Sequence, residues 1–304
     1  MVNKITTSIW LGCLLGASAG ESPSTIIAPV EARLPSYGVT MLGGTYSDDM
    51  DFDDADGSLS VSELDLFSLL CDPITVAGDL LLIPAMKYEL TSLDFDGVNG
   101  AFPIADEDLH SVSLHLAAIK LNEGSPWFYG AWARAELASD FQHINGDDFT
   151  FDIAAGVGYR VNDSFTIAAG VAAINLNGDF WVCPGINFDW KISDKLRAGL
   201  YGPMPVITYA PNEDWSFSLR GIPGGGIWNI TDDQGDSKAV DLSSYQVGAF
   251  ASRKIVGELW LNVGGGVTLA NNITLADPDG DNEILDEDMD SGLFGQIGLT
   301  LKSW

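Results

Sequence analysis

Asp148-Phe149-Thr150-Phe151-Asp152-Ile153-Ala154-Ala155-Gly156-Val157-Gly158-Tyr159-Arg160-Val161 is the stretch that decides the fold. Phe149, Phe151, Ile153, Ala155, Val157, Tyr159 and Val161 recur at every second position. Asp148, Thr150, Asp152, Ala154, Gly156, Gly158 and Arg160 stand between them. Successive side chains of a strand point to opposite faces, so one face here is apolar and the other is polar or small. A helical period does not fit this alternation.

The pattern repeats along the chain. In 109–121, Val112, Leu114, Leu116 and Ala118 oppose Ser111, Ser113, His115 and Ala117. In 127–141, Trp127, Tyr129, Ala131, Ala133, Ala135 and Leu137 oppose Gly130, Arg134, Glu136 and Asp140. Residues 245–252 and 258–269 alternate in the same way. These runs are longer than the usual strand of about 5–6 residues. Their polar face carries charge in mid-strand, which a dry sandwich core would not hold. A membrane barrel reconciles the two faces, with lipid outside and a polar lumen inside. The predicted fold is all-β, a single up-and-down antiparallel transmembrane β-barrel over residues 35–304. Strand starts near 36, 58, 74, 109, 126, 148, 164, 184, 196, 205, 214, 239, 258 and 291 make about 14 strands, with 12 as the alternative. Pro203, Pro205 and Pro223 blur the count within 184–230. Lys87, Glu89, Arg134, Glu136, Asp140, Asp152 and Arg220 are the expected lumen-lining residues.

Connector lengths give an orientation. Asp72-Pro73, Glu123-Gly124-Ser125, Asn162-Asp163, Ser193-Asp194-Lys195, Asn212-Glu213 and Val256-Gly257 are short. Segments 47–57, 93–108, 143–147, 177–183, 231–237 and 272–290 are longer. Tight periplasmic turns and long outer loops show this asymmetry. Loops 47–57, 93–108 and 272–290 hold nineteen acids and no Lys or Arg. They predict a negative outer mouth, read either as a solvated surface or as a field favouring cations.

The whole chain of 304 residues has 43 acids against 14 Lys plus Arg, a formal net charge of −29. The basic footprint that nucleic-acid binding needs is missing. At the amino terminus, Lys4, the apolar run Ile5–Leu15 and the small residues Ala17-Ser18-Ala19 predict a secretory signal peptide over 1–19. A periplasmic segment over 20–34 would follow. Cys71 and Cys183 are expected as free, buried thiols at opposite ends of their strands. His110 and His115 are five apart and face opposite sides of one strand, so they cannot chelate together.

Within 184–230, Pro184-Gly185-Ile186-Asn187-Phe188-Asp189-Trp190 runs into Ser193-Asp194-Lys195-Leu196-Arg197. Pro205-Val206-Ile207-Thr208-Tyr209 runs into Asn212-Glu213-Asp214-Trp215-Ser216-Phe217. Both read as proline, alternating residues with an aromatic, polar turn, next strand. On these residues the chain resembles bacterial outer-membrane β-barrels, in a family known only as a domain of unknown function. The resemblance implies fold and location in the outer membrane of a diderm bacterium, and no activity. Outer-membrane lipid and the assembly machinery are the implied partners. Trp304 is a suitable terminal aromatic for that machinery, although Lys302 holds the in-phase position. The sequence does not choose between monomer and trimer.

Two acidic stretches resemble calcium loops. Asp54-Ala55-Asp56-Gly57 with Glu63 lacks a first ligand, because Phe52 stands there. Asp277, Asp279, Asp281, Glu283 and Asp288 occupy ligand-like spacings, with Asn282 at the turn glycine. Calcium there is the one cofactor the sequence suggests. An acid-laden loop 272–290 is expected to be extended without it. No nucleophile elbow, zinc-protease or phosphate-loop motif appears, so no enzyme is expected. His115 beside Ser111 and Ser113 reads as lumen lining. The expected function is a passive pore or transport channel with a cation-favouring mouth. A non-conducting structural or surface-interaction barrel is the alternative, and a soluble secreted β-sandwich the next.

Overall fold

The computed structural model describes residues 37–76, 80–98, 103–122, 124–176, 179–231, 237–277 and 282–303. The expected signal peptide 1–19 and the segment 20–34 lie outside them. The strands are β1 (Tyr37–Asp51), β2 (Ser58–Leu69), β3 (Ile74–Val76), β4 (Leu80–Asp96), β5 (Glu107–Leu121), β6 (Trp127–Ser139), β7 (Phe149–Asn162) and β8 (Phe165–Leu176). They continue as β9 (Asp179–Lys191), β10 (Leu196–Tyr201), β11 (Met204–Asn212), β12 (Trp215–Thr231), β13 (Ser237–Val256), β14 (Leu259–Ala276), β15 (Glu283–Met289) and β16 (Leu293–Ser303). Fourteen of these form one closed antiparallel ring, which rules out the sandwich. β3 and β15 stand off the ring, paired with β4 and β14. β1 meets β16 and β13 meets β14, so no edge is left at the seam.

Alternation sets the two faces, as the register shows. Trp127, Phe149, Phe151, Ile153 and Val171 are exposed on the outer face, while Phe128, Trp132, Asp152 and Ala168 point inward and are buried. Trp127, Tyr159, Trp190 and Trp215 gather near the tight turns, and Tyr46, Phe149 and Phe180 near the other end. Such girdles are the usual aromatic belts of membrane barrels. The end carrying the tight turns also holds Tyr37 and Ser303, which pair. We call it the turn end and its opposite the loop end.

Three expectations need correction. The strand expected at 74 enters the ring only at Leu80, because 74–76 folds back on Leu80–Leu82. The strand expected at 184 begins at Asp179. Segment 272–290 is no extended loop. Asn271–Ala276 and Glu283–Met289 pair as a hairpin, because Ile273 and Leu275 alternate inward and are fully buried.

At the loop end the ring narrows. β6 leaves β7 at Leu137–Phe149 and meets β12 instead, with Ser139 beside Asn229 in parallel. Asp140 N–H donates to the Asn229 carbonyl at 3.2 Å, and Thr231 N–H donates to Asp140 Oδ2 at 2.8 Å. Inside this narrowed ring lies a dry core of Leu59, Leu93, Leu109, Trp228, Val240, Ile273 and Leu275. A second apolar cluster toward the turn end comprises Phe67, Ile83, Ile119, Phe128 and Trp132.

Candidate functional site

Between the two apolar clusters the inner wall carries a belt of charge. Lys87 and Glu89 share a face as i and i+2, and Glu89 pairs in register with Asp65 on β2. Lys87 Nζ lies 3.2 Å from Asp65 and 2.5 Å from Glu89. On the next strands Arg134 stands directly across from Asp152. Its Nε donates to Asp152 Oδ2 at 2.8 Å, and a second guanidinium nitrogen lies 3.1 Å from Glu136. Ser111 donates to Glu136 at 2.5 Å, and Asn175 N–H to Asp152 at 2.8 Å. Apart from this belt, at the turn end one residue into β10, Arg197 makes a two-point contact with Asp189, to which Tyr201 also donates. Arg220 lies flat over the Phe250 ring, 3.6 Å from its centroid.

All three ion-pair groups are buried, with Asp65, Asp152 and Asp189 at 1% exposure or less. Charges removed from water are tolerated when they are paired and hydrogen-bonded, which the alternation provides here by stacking opposite signs across neighbouring strands. In the belt Glu63, Asp65, Glu89, Glu136 and Asp152 face Lys87, Arg134 and Arg220, so acids outnumber bases there. The belt is tight. A cavity of about 10 Å³ between it and the dry core, beside Glu63, Gln246 and Thr268, has room for about one water.

Six of the seven expected lumen residues point inward. Asp140 does not. It follows the last residue of β6 and caps the β6–β12 junction, accepting from Gln142 N–H at 2.9 Å as well. Counting every second residue carried the strand's phase past its end. Sequence reading missed Asp65, Asp189 and Arg197, although each sits at an inward position of its alternating run. The strands expected at 196 and 205 are β10 and β11, joined by the two-residue tip Gly202-Pro203.

His115 is buried and bonded to Ser113 Oγ through Nε2 at 2.8 Å, with Phe67 and Trp132 beside its ring. His115 Nδ1 has no hydrogen-bond partner, so no third group orients the imidazole as a catalytic triad would. His110 lies on the opposite face, stacked on Phe141. Of the calcium spacing, Asp279 and Asp281 lie outside the described residues. Asp277 accepts from Asn282, and Asp288 from Asn272. Among the described residues no three His, Cys, Asp or Glu side chains are gathered to hold a metal ion. Glu63 points into the barrel and stays away from Gly57, which makes the turn at φ 119°. Cys71 and Cys183 are free, but both are exposed rather than buried. Cys71 sits in a turn, and Cys183 lies on β9 where that strand has lost one neighbour.

At the loop end, burial raises the Asp148 carboxyl above its ordinary value, although the backbone of Asn145 donates to it. In a tight turn, Lys191 holds the Asp194 carboxyl below its ordinary value.

Residues 85–300 match the family described as Domain of unknown function (DUF6268). The fold is similar to that of the COG4313 outer membrane channel from Pseudomonas putida F1, at TM-score 0.51 and 12% identity over 93% of this chain and 99% of that one. It is also similar to a Pseudomonas aeruginosa FadL homologue, at TM-score 0.51 and 11% identity over 96% and 98%. No curated protein matches the sequence.

Proposed function

Because the chain belongs to the DUF6268 family, a domain of unknown function, and has the fold of outer-membrane channels, we propose that it is a passive outer-membrane channel with a narrow, charge-lined waist. The observation that carries this is the buried belt around Lys87 and Arg134. A barrel that served only as a wall would be filled more stably by apolar side chains of the same volume, since buried ion pairs add little net stability. The acid excess in the belt, together with Asp51, Asp53, Asp54, Asp94, Asp96 and Asp106 at the loop end, favours cations over anions at the mouth. Proteoliposome swelling tests the reading. Small solutes should pass slowly and sugars above a disaccharide should not. Swelling as fast as in a wide porin would contradict it.

The dry core at the loop end favours one other reading, a non-conducting structural or surface-interaction barrel. Total absence of solute and ion passage would decide for that.

A further inference from the structure

Three irregular places in the wall border one small cavity between the charged waist and the dry core. β1 shifts register between Ser47 and Met50. β12 carries Gly225 at φ 87°, where a Cβ would collide with the Leu242 carbonyl oxygen. In β14, Asn272 pairs with Ser243 and Leu269 with Tyr245, so Ala270 and Asn271 stand opposite Ser244 alone. Such a two-against-one bulge shifts the phase of a strand and re-aims a side chain. Ala270 takes φ 50°, a left-handed conformation uncommon for a residue with a Cβ. Before the bulge the even-numbered Trp260 and Thr268 are buried, and after it the odd-numbered Asn271, Ile273 and Leu275 are. An unbroken strand would turn Asn271 to the outer face.

The cavity, of about 10 Å³, is lined by Ser47, Glu63, Ser244, Gln246 and Asn271, while apolar side chains of the dry core, Met50 and Leu242 among them, form its other side. Asn271 is 2% exposed. Its amide nitrogen donates to the Asp290 carbonyl at 2.8 Å and to Thr268 Oγ1 at 3.0 Å. The Asp290 carbonyl can only accept, which fixes the orientation of the amide. Asn271 Oδ1 is the end left over, and among the described residues it has no hydrogen-bond partner. A buried oxygen in that position is costly. The neighbouring belt adds a second demand, because its acids outnumber its bases behind apolar walls that screen charge poorly. A water would donate to Asn271 Oδ1 and leave that charge as it is. A cation meets both demands, since it accepts lone pairs from neutral oxygens and offsets negative charge. One carboxylate in the lining matches one positive charge. Calcium takes six to eight oxygens and magnesium keeps several of its waters, so neither fits a space for about one water. Sodium is smaller than a water molecule.

We propose that this cavity binds a single monovalent cation of the size of sodium, held by Asn271 Oδ1 and the Glu63 carboxylate with neutral oxygens from Ser47, Ser244 and Gln246. The site goes beyond the channel reading and does not depend on it. An ion there ties β1, β2, β13 and β14 together at the level where the ring narrows, whether or not solutes pass. It also gives a role to Glu63, which closes no calcium loop with Asp54 and Asp56.

The test follows urea unfolding of the full chain in lipid vesicles, in chloride salts of sodium, caesium or N-methylglucamine at one ionic strength. A single ion bound by the folded chain alone raises the folded-to-unfolded ratio about tenfold for each tenfold of sodium above its dissociation constant. That slope is expected as sodium replaces N-methylglucamine. Caesium, larger than a water molecule, should give less than about a third of the rise. Amide exchange read by mass spectrometry gives the place: sodium should slow residues 242–246 and 268–273 about fivefold or more and leave the acidic stretches 93–96 and 106–108 unchanged. Glu63→Gln keeps the shape and removes the charge, and Asn271→Ala removes the unpartnered oxygen. Both should flatten the sodium slope to less than about a third, whatever their stability in N-methylglucamine. A wild-type ratio that is the same in sodium and N-methylglucamine overturns the site and leaves the cavity to water. A full sodium slope in folded Glu63→Gln overturns it too, since the ion would then sit on the acidic loops. Where neither variant folds, the wild-type exchange pattern decides, and slowing confined to 93–96 and 106–108 overturns the site. Calcium that reproduces the sodium effect at a hundredth of the concentration overturns the monovalent assignment. None of these outcomes touches solute passage, so the channel reading stands or falls separately.

Discussion

Lys87 is the residue on which the waist depends most. It bridges two buried carboxylates at once, Asp65 and Glu89. Lys87→Met should destabilise the barrel by about 3–5 kcal/mol, the usual cost of stripping one partner from a buried pair. The triple change Asp65→Asn, Lys87→Met, Glu89→Gln should recover most of that loss, because no net charge stays buried. Unfolding midpoints in urea compare the two, and equal losses would refute the pairing. Asp148 gives a pH signature at the loop end. Its carboxyl value is raised by burial, so the folded state prefers it protonated. The stability it contributes is present below the ordinary carboxylate value and lost as pH rises through the raised one. Asp148→Asn should flatten that slope in the same unfolding measurement. Residues such as Arg134 and Asp152 were legible in the sequence because alternation alone fixes an inward face. Asp140 was not, because one residue past a strand end the alternation no longer governs where a side chain points.

Among the elements, the β10–β11 hairpin depends on its neighbours. Tyr245 on β13 reaches across Gly221 and donates to the Pro203 carbonyl at 2.7 Å, bracing the tip. A Cβ at Gly221 would come within 2.5 Å of the Tyr245 hydroxyl, so position 221 needs glycine for this brace. Tyr245→Phe removes one hydrogen bond, worth about 0.5–1.5 kcal/mol. Amide exchange over 201–206 should then quicken about two- to tenfold by mass spectrometry. Unchanged exchange would mean that the tip is held by its own turn. Sequence reading located most strand starts within a few residues, since polar turns punctuate the alternation. It did not show how far β10 and β11 climb. Strand length is set by where ladders with β9 and β12 end, and the β6–β12 contact that diverts β12 joins residues 90 positions apart. Segment 272–290 misled for a related reason. Its acids suggested a solvated loop, while Ile273 and Leu275 drew it into a hairpin over the dry core.

At the scale of the molecule, fourteen strands enclose an interior of three layers: a dry core, a charged waist and a second apolar cluster. The closed barrel was legible from period-two runs with mid-strand charge. The apolar narrowing at the loop end was not, because inward apolar residues there look in sequence like ordinary strand alternation. This layering predicts a channel that conducts ions poorly, prefers cations and excludes large hydrophilic solutes. Reversal potential across a planar bilayer under a salt gradient measures the claim most directly. The predicted result is a small unit conductance whose reversal potential lies toward the cation equilibrium. A reversal potential toward the anion equilibrium, or a bilayer that stays silent with folded protein inserted, would contradict it.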